Sequence, residues 1–291
     1  VSVDQILSSL GHGDSPLPPN ALVLTFDDGY IDHFTNVLPI LEAKGIQGFF
    51  FPVTAPTIGG RVLDVNKIHF VLASAPDPDT LLQEVFDLID GLRSEYALDS
   101  NDYYYRTYAR ASRLDTASVI LLKRVLQTAL PAGARARVCD ELFRRHVSED
   151  EASFAKGLYM DLEQLRHMRS KGMYVGSHSH SHGWMDGMSP EVQATEIESS
   201  LSLQAALGCE SDQWGFAYPY GAYNDALLSL LSEKGCKFGL TTRVGIADLE
   251  DPGKYNHLLL PRLDTNDLPK DRDAAPNEFT AQVLGAGAST K

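Results

Sequence analysis

ALVLTFDDG, residues 21–29, decides how the chain is read. The run ALVLTF is apolar and rich in strand-forming residues, the pattern of a strand buried within a sheet. Two carboxylates, Asp27 and Asp28, follow back to back, and Gly29 closes the run. Next, Phe34, Val37, Leu38 and Leu41 recur at spacings of three and four, which predicts a helix. Gly45 is its stop, and Pro39 predicts a kink or a shortened element. QGFFFPV (47–53) is a second buried strand. Strand, helix and strand within about thirty residues make a βαβ unit, hence a parallel sheet. Active sites of such sheets collect at the C-terminal ends of the strands, where the two acids stand.

From 57 to 158 no strand is expected. Leu82, Val85, Phe86 and Ile89 share one helical face, as do Val119, Leu122, Leu126 and Ala129. PDPD and LPAG read as turns between helices. We therefore expect an all-helical insertion over 57–158 that caps or flanks the active site. Its tyrosine-rich DSNDYYYRTYAR suits ring packing at an edge or ligand stacking. The α/β rhythm resumes at 159. MDLEQLRHMRSKG is a helix and MYVGSH a strand. SPEVQATEIESSLSLQAALG is a helix capped by Ser189, with Pro190 at its first position and Gly208 as its stop. GFAYPYG is a strand end, NDALLSLLSEKG a helix capped by Asn224, and CKFGLTT and HLLLPRLD the last strands. PNEFTAQVLG is a closing helix, and the tail GAGASTK is expected to be mobile. An open parallel sheet and a β/α barrel both fit residues 1–56 and 159–291.

Composition narrows the function classes. With 43% hydrophobic and 22% charged residues the chain is an ordinary globular sequence. A net charge of −14 repels phosphate backbones and anionic membranes, so nucleic acid is not an expected partner. No apolar stretch reaches the length needed to span a bilayer. Cys139, Cys209 and Cys236 are odd in number and far apart, which fits reduced structural thiols. With no visible signal segment in a sequence that starts at Val1, a cytoplasmic location is the expectation. Oligomeric state is not legible.

Three polar motifs follow apolar runs in different βα units: DDG (27–29), HSHSH (178–182) and YPYG (218–221). Imidazole is the commonest side-chain metal ligand, and two histidines with one carboxylate form a familiar open metal site. Spacing alone does not select which of His178, His180 and His182 would bind. Asp-Asp-Gly by itself reads equally as a helix cap and as a site; beside the histidines the metal reading leads. One carboxylate would then hold the ion and the other move protons.

These motifs, in this order, resemble the polysaccharide deacetylase family, also known as the NodB-homology domain or carbohydrate esterase family 4. TFDDG stands complete at 25–29, and His178, Ser179 and His182 match the family's H-[ST]-x-x-H. The resemblance covers roughly 1–56 and 159–265 and implies a deformed (β/α) barrel interrupted by the helical insertion. It implies Asp27 as general base and Asp28, His178 and His182 as ligands of a divalent metal, most commonly Zn2+, with Co2+ or Ni2+ as substitutes. It further implies the backbone N–H of Tyr220 as an oxyanion donor, and removal of N-acetyl groups from an amino sugar, glycan or glycan precursor with release of acetate. Ser179 would orient the loop. Tyr30, Trp184, His180 and Asp264 are candidate contacts to the carbohydrate, with Asp267 beside Asp264 as a further one.

The sequence departs from the family twice. Ala217 stands where many members carry an arginine that orients the base, and Arg262 or Arg243 on the late strands is the expected substitute. The late histidine general acid has no clear match; His257 and His69 are the candidates, the alternative being that the metal supplies the leaving-group help and no dedicated acid is needed. Two alternatives stay open. A deformylase or non-sugar amide hydrolase would use the same metal site. An inactive carbohydrate-binding protein would have no need for a spare base beside a metal.

Overall fold

The computed structural model describes residues 1–10, 17–111, 116–247, 249, 257–271 and 273–285. Most of the tail GAGASTK lies outside them. The strands are β1 (Leu24–Asp28), β2 (Gly48–Pro52), β3 (Tyr174–Val175), β4 (Gly215–Ala217), β5 (Phe238–Val244) and β6 (Leu260–Arg262). The helices are α1 (Val3–Ser9), α2 (Leu38–Lys44), α3 (Thr54–Gly59), α4 (Asp64–Ser74), α5 (Pro78–Leu92), α6 (Asn101–Tyr108), α7 (Ala117–Arg124), α8 (Ala132–His146), α9 (Glu151–Leu158), α10 (Leu162–Ser170), α11 (Pro190–Ala206), α12 (Asp225–Glu233) and α13 (Glu278–Gly285). They form two compact units, one of Val1–Gly59 with Leu158–Lys291 and one of Gly60–Gly157.

In the first unit every strand ladder among the described residues is parallel. β1 pairs with β2 from Leu24↔Gly48 to Asp28↔Pro52, and β2 pairs with β3. β4, β5 and β6 form a second set in that order. A parallel bridge, Ser177↔Phe216, joins the two sets. The strands therefore follow one another around the sheet in chain order, and their C-terminal ends share one rim. DDG, HSHSH and YPYG meet there because each ends or follows a strand of the same direction.

The three consecutive phenylalanines of β2 divide by the period-2 rule. Phe50 packs with Leu38, Leu41, Met160, Leu165 and Met168 on the helix side. Phe49 and Phe51 face inward and share a cluster with Ala217, Phe238, Leu240 and Leu260 from β4, β5 and β6. Only a curled sheet lets β2 meet β6 across its interior, as in a deformed barrel. Val3 and Ile6 of α1 belong to the same cluster. α1 is absent from the sequence reading: its seven residues carry too little periodicity. A capping box between Ser2 and Gln5 holds its start.

β1 corrects an expectation. ALVLTF does not form a buried strand throughout: the strand begins at Leu24, runs through both acids, and is half-buried along its length, whereas β2 is buried at every residue. The physical reason is position. Among the described residues β1 has a ladder partner on one side only, and its polar end lines a rim rather than a core. Downstream, Pro39 does not break the helix but follows a π-helical turn, His33–Val37, whose wider winding precedes α2; Gly45 closes α2 in the left-handed conformation.

Among the described residues of the second unit the elements are helices. Fully buried Lys67 on α4 pairs with Asp140 of α8 and with Glu151 of α9 at 2.8 Å. Glu151 also accepts the Val62 N–H at 2.8 Å. The buried ammonium is thus neutralised by two carboxylates, without which its desolvation would be prohibitive. In α6, Tyr104 is buried while Tyr103 and Tyr105 are exposed. His69 lies on α4 of this unit. Among the described residues no helix is long and apolar enough to cross a membrane. The cysteines are free thiols, and burial pushes Cys236 up to about 12.

Candidate active site

The site begins with a break in the strand. Asp27 lies in regular extended backbone, but Asp28 takes φ 69° and Gly29 φ 80°. The Gly29 N–H turns back to the Asp27 carbonyl at 2.9 Å. This reversal lets two adjacent side chains, which on a flat strand would point to opposite faces, serve one cavity. Gly29 cannot carry a side chain: an added Cβ would lie 3.0 Å from Cβ of Pro52, on a backbone that disfavours one anyway.

Asp28 faces two histidines. Its Oδ1 stands 3.4 Å from Nε2 of His178 and 3.3 Å from Nε2 of His182. One ligand atom from each of the three lies within 4.8 Å of the other two. The Nδ1–H of His178 donates to the Ala217 carbonyl at 2.7 Å, so that Nε2 is the nitrogen facing Asp28 and carries the lone pair whenever the ring is neutral. Asp28 Oδ1 is buried without a hydrogen-bond partner. Two imidazole nitrogens and a carboxylate oxygen therefore converge on one point, an arrangement stable only with a proton or a cation between them. Burial would raise the Asp28 carboxyl, but the two facing imidazoles hold it far below the usual carboxylate range. Burial would lower His178, yet Asp27 and Asp28 hold it above its ordinary value, while burial dominates at His182 and lowers it.

Asp27 has a different partner. Arg262, at the end of β6, donates through Nη1 to Oδ1 at 3.0 Å and through Nη2 to Oδ2 at 2.8 Å. Thr241 accepts from its Nε at 3.1 Å, and Thr25 Oγ1 from Nη1 at 3.3 Å. A forked guanidinium–carboxylate pair of this kind fixes the carboxylate plane as well as its charge. Burial again opposes ionisation, but His178 and Arg262 together keep Asp27 below the ordinary carboxylate range. Among the described residues no ladder joins β6 to β1, and the Arg262 side chain bridges the two ends of the strand series through Asp27 and Thr25. Arg243 instead donates to the Leu259 carbonyl. Ala217 is fully buried in the interior cluster and contributes its carbonyl, to His178.

The remaining candidates separate. Tyr220 takes φ 57° within the tight turn Pro219–Gly221, and its ring packs edge-on against His182 at 4.7 Å. Trp184 stacks flat on Tyr220, at 4.2 Å and 2°. Tyr30 stacks on Tyr159 at 5.8 Å. Both rings expected to meet a sugar are thus already committed to the wall on one face. The ring nitrogen Nδ1 of His180 is buried without a partner. Asp264 is occupied elsewhere: it caps the exposed turn Thr265–Asp267, accepting from Asn266, while Asp267 accepts the Asp264 N–H. His257 lies in the turn before β6. Sequence reasoning assigned no role to Thr25, although it opens the TFDDG motif, or to Thr241, whose signal is that it shares a strand with Arg243.

Sequence comparison bears on this geometry. The sequence model of a family described as polysaccharide deacetylase matches residues 14–69 and 143–239, more than half of the chain. The chain belongs to the polysaccharide deacetylase family. A Bacillus subtilis protein named as a polysaccharide deacetylase (YxkH) is 30% identical over 93 residues, 32% of this chain and 33% of that protein. The poly-β-1,6-N-acetyl-D-glucosamine N-deacetylase of Escherichia coli is 54% identical over 53 residues, 18% of this chain and 8% of that protein. The matched stretches thus span about a third and under a tenth of these relatives. In fold the chain is similar to the Streptococcus pyogenes deacetylase PplD in complex with acetate, with TM-score 0.51, 19% identity, and 90% of this chain and 72% of that one covered. It is also similar to the BpsB deacetylase domain from Bordetella bronchiseptica, with TM-score 0.50, 18% identity, and 90% and 77% covered.

Arg262 lies outside the stretches that match the family. Its role is tested by Arg262→Ala. Asp27 would keep the burial that raises its pKa and lose the charge that lowers it. The acid limb of kcat/KM is expected to move up by about 1–3 pH units, the usual effect of an adjacent opposite charge. Turnover at neutral pH should fall, and Arg262→Lys should recover part of it. An unchanged pH profile in Arg262→Ala would exclude Arg262 as the partner of Asp27.

Proposed function

We propose that this protein is a metal-dependent hydrolase that removes N-acetyl groups from an amino sugar, glycan or glycan precursor and releases acetate. The observation that carries the reading is the pairing of two unlike carboxylates. Asp28 converges with two imidazoles on one point, while Asp27, its neighbour, is forked by arginine. The donor set fits a divalent metal. Two imidazole nitrogens and one carboxylate oxygen are a known zinc complement, and a buried acceptor without a donor is relieved by a cation. Asp28, His178 and His182 would hold the ion. Once bound, it supplies Lewis-acid polarisation of the amide carbonyl and a water of lowered pKa.

The chain's own groups then divide the remaining work. Asp27, kept ionised by Arg262, takes a proton from the attacking water. The new C–O bond forms as the carbonyl oxygen gains charge, and the backbone N–H of Tyr220 supports that oxyanion. The C–N bond then breaks, and the proton held by Asp27 passes to the departing nitrogen, leaving acetate and a free amine. The name of the Escherichia coli relative, a poly-β-1,6-N-acetyl-D-glucosamine N-deacetylase, makes N-acetylglucosamine polymers the first substrates to test.

Chelator-treated protein is expected to release no acetate from chitooligosaccharides, β-1,6-linked N-acetylglucosamine oligomers or nucleotide-linked N-acetyl sugars, and Zn2+ or Co2+ should restore release. Formyl amides in the same panel, scored by formate, identify a deformylase if they react instead. A protein that takes up no divalent ion and gains no activity from one is not this hydrolase.

A further inference from the structure

The loop that carries His178 and His182 is fastened by one face of α11. Gln193, Glu196, Ser200 and Gln204 are all buried. Their spacing of three, four and four places them in a row on that face. The row follows the loop residue by residue in the opposite direction. Gln204 donates to the Gly176 carbonyl at 2.6 Å, and Ser200 Oγ accepts from Ser177 Oγ at 2.8 Å. Glu196 Oε2 accepts the backbone N–H groups of His180 at 3.0 Å and Ser181 at 2.8 Å. Gln193 donates to the Met185 carbonyl at 2.7 Å.

Glu196 differs from the other three. It alone is charged, and it alone holds backbone between the two histidines. Ser179 at φ 65° and His182 at φ 59° are left-handed, a conformation that non-glycine residues adopt only when their surroundings impose it. The left-handed Ser179 aims two successive N–H groups the same way, forming a concave donor pair suited to an anion. Glu196, only 8% exposed and with no cation paired to it among the described residues, fills that place. From the opposite side the Ser179 and His180 carbonyls accept from the N–H groups of Thr54 and Ala55 at 3.3 and 2.9 Å. The Ser179 hydroxyl receives the His182 N–H at 3.1 Å.

We infer that Glu196 is a positioning residue of the metal site: its carboxylate sets the backbone from which His178 and His182 reach the ion, and so sets the affinity and coordination geometry. This rests on the reading of Asp28, His178 and His182 as metal ligands. A carboxylate on two buried N–H groups makes charge-assisted bonds, and an amide of the same shape makes weaker neutral ones.

The test measures Zn2+ affinity by chelator competition in wild type, Glu196→Gln and Glu196→Ala, together with the visible spectrum of each Co2+-loaded protein. Ser200→Ala serves as a control in the same row. Glu196→Ala should bind Zn2+ about 10–100-fold more weakly, the usual effect of removing a partner that orients a ligand. It should also shift the Co2+ bands, with Glu196→Gln intermediate in both and Ser200→Ala at wild-type values. A merely structural role would lower the unfolding temperature and leave affinity and spectrum of the folded protein unchanged, which overturns the inference. If Glu196→Ala does not fold, Glu196→Gln decides: wild-type affinity and spectrum there overturn it. Wild-type protein that binds no divalent ion overturns the metal reading and this inference with it, whereas normal wild-type binding with indifferent variants overturns this inference alone.

Discussion

Asp27→Asn is expected to reduce acetate release by about 10²–10⁴-fold, the usual contribution of a positioned acid–base group, while the protein still binds its divalent ion. Asparagine is nearly the shape of aspartate and still offers Arg262 an acceptor, but it cannot take up a proton. The ion should stay because Asp27 is not among the three converging ligands. The electrostatics point the same way. The Asp27 charge is one of those that raise His178 against the lowering effect of its burial. Removing that charge lets His178 lose its proton at lower pH, and protons and metal compete for the same nitrogen. Zn2+ binding near the acid end of the range should therefore be equal or stronger in Asp27→Asn. Metal content and kcat/KM measured on the same preparation check both halves. Loss of the ion together with activity would make Asp27 a ligand, and the division of labour between the two acids would be wrong.

That division was partly legible in the sequence. An apolar strand ending in two acids, a histidine run after another strand and a Pro-Tyr-Gly turn after a third could be placed on one rim. Once β-α alternation implies parallel strands, all strand ends face the same way. The identity of the partner of Asp27 was not legible. Arg243 and Arg262 both lie on late strands, and the choice between them depends on an irregular register in which β5 and β6 slip between the Leu240 and Val244 pairings. That slip sets Arg262 opposite Val244 at the rim, 235 residues from Asp27 in the chain. The left-handed residues were equally hidden, since Asp28, Ser179, His182 and Tyr220 are not glycines. In three of the four cases a glycine follows directly, at 29, 183 and 221. A non-glycine residue directly before glycine, at or after a strand end, is thus the trace these turns leave in the sequence. The polar row on α11 was read only as a well-capped helix, because a buried polar face has the spacing of an apolar one without its hydrophobicity.

Asp28→Asn should remove the metal itself, with a loss of affinity greater than the ten- to hundredfold typical of an outer partner. Its carboxylate is the only anion among the converging ligands, and an amide oxygen gives the ion a dipole in place of a charge. Activity should disappear with the ion. The metal-free protein gives a second readout. Ionised Asp28 opposite protonated His178 stabilises the fold over a bounded pH range. Asp28 is lowered, so its contribution is present above its unfolded value near 3.8 and is lost as pH falls through the folded one. His178 is raised, so its contribution is complete below its unfolded value near 6.5 and is lost as pH rises through the folded one. Four left-handed residues, each costing about 1–3 kcal/mol, draw on that stabilisation. A ligand that binds only the folded state replaces it as pH rises, because a deprotonated His178 is free to accept the ion. Zn2+ should therefore raise the Tm of wild type more at pH 8 than at pH 6 and leave that of Asp28→Asn nearly unchanged at both. A Zn2+-induced rise in Asp28→Asn equal to that of wild type would place the ion elsewhere in the molecule.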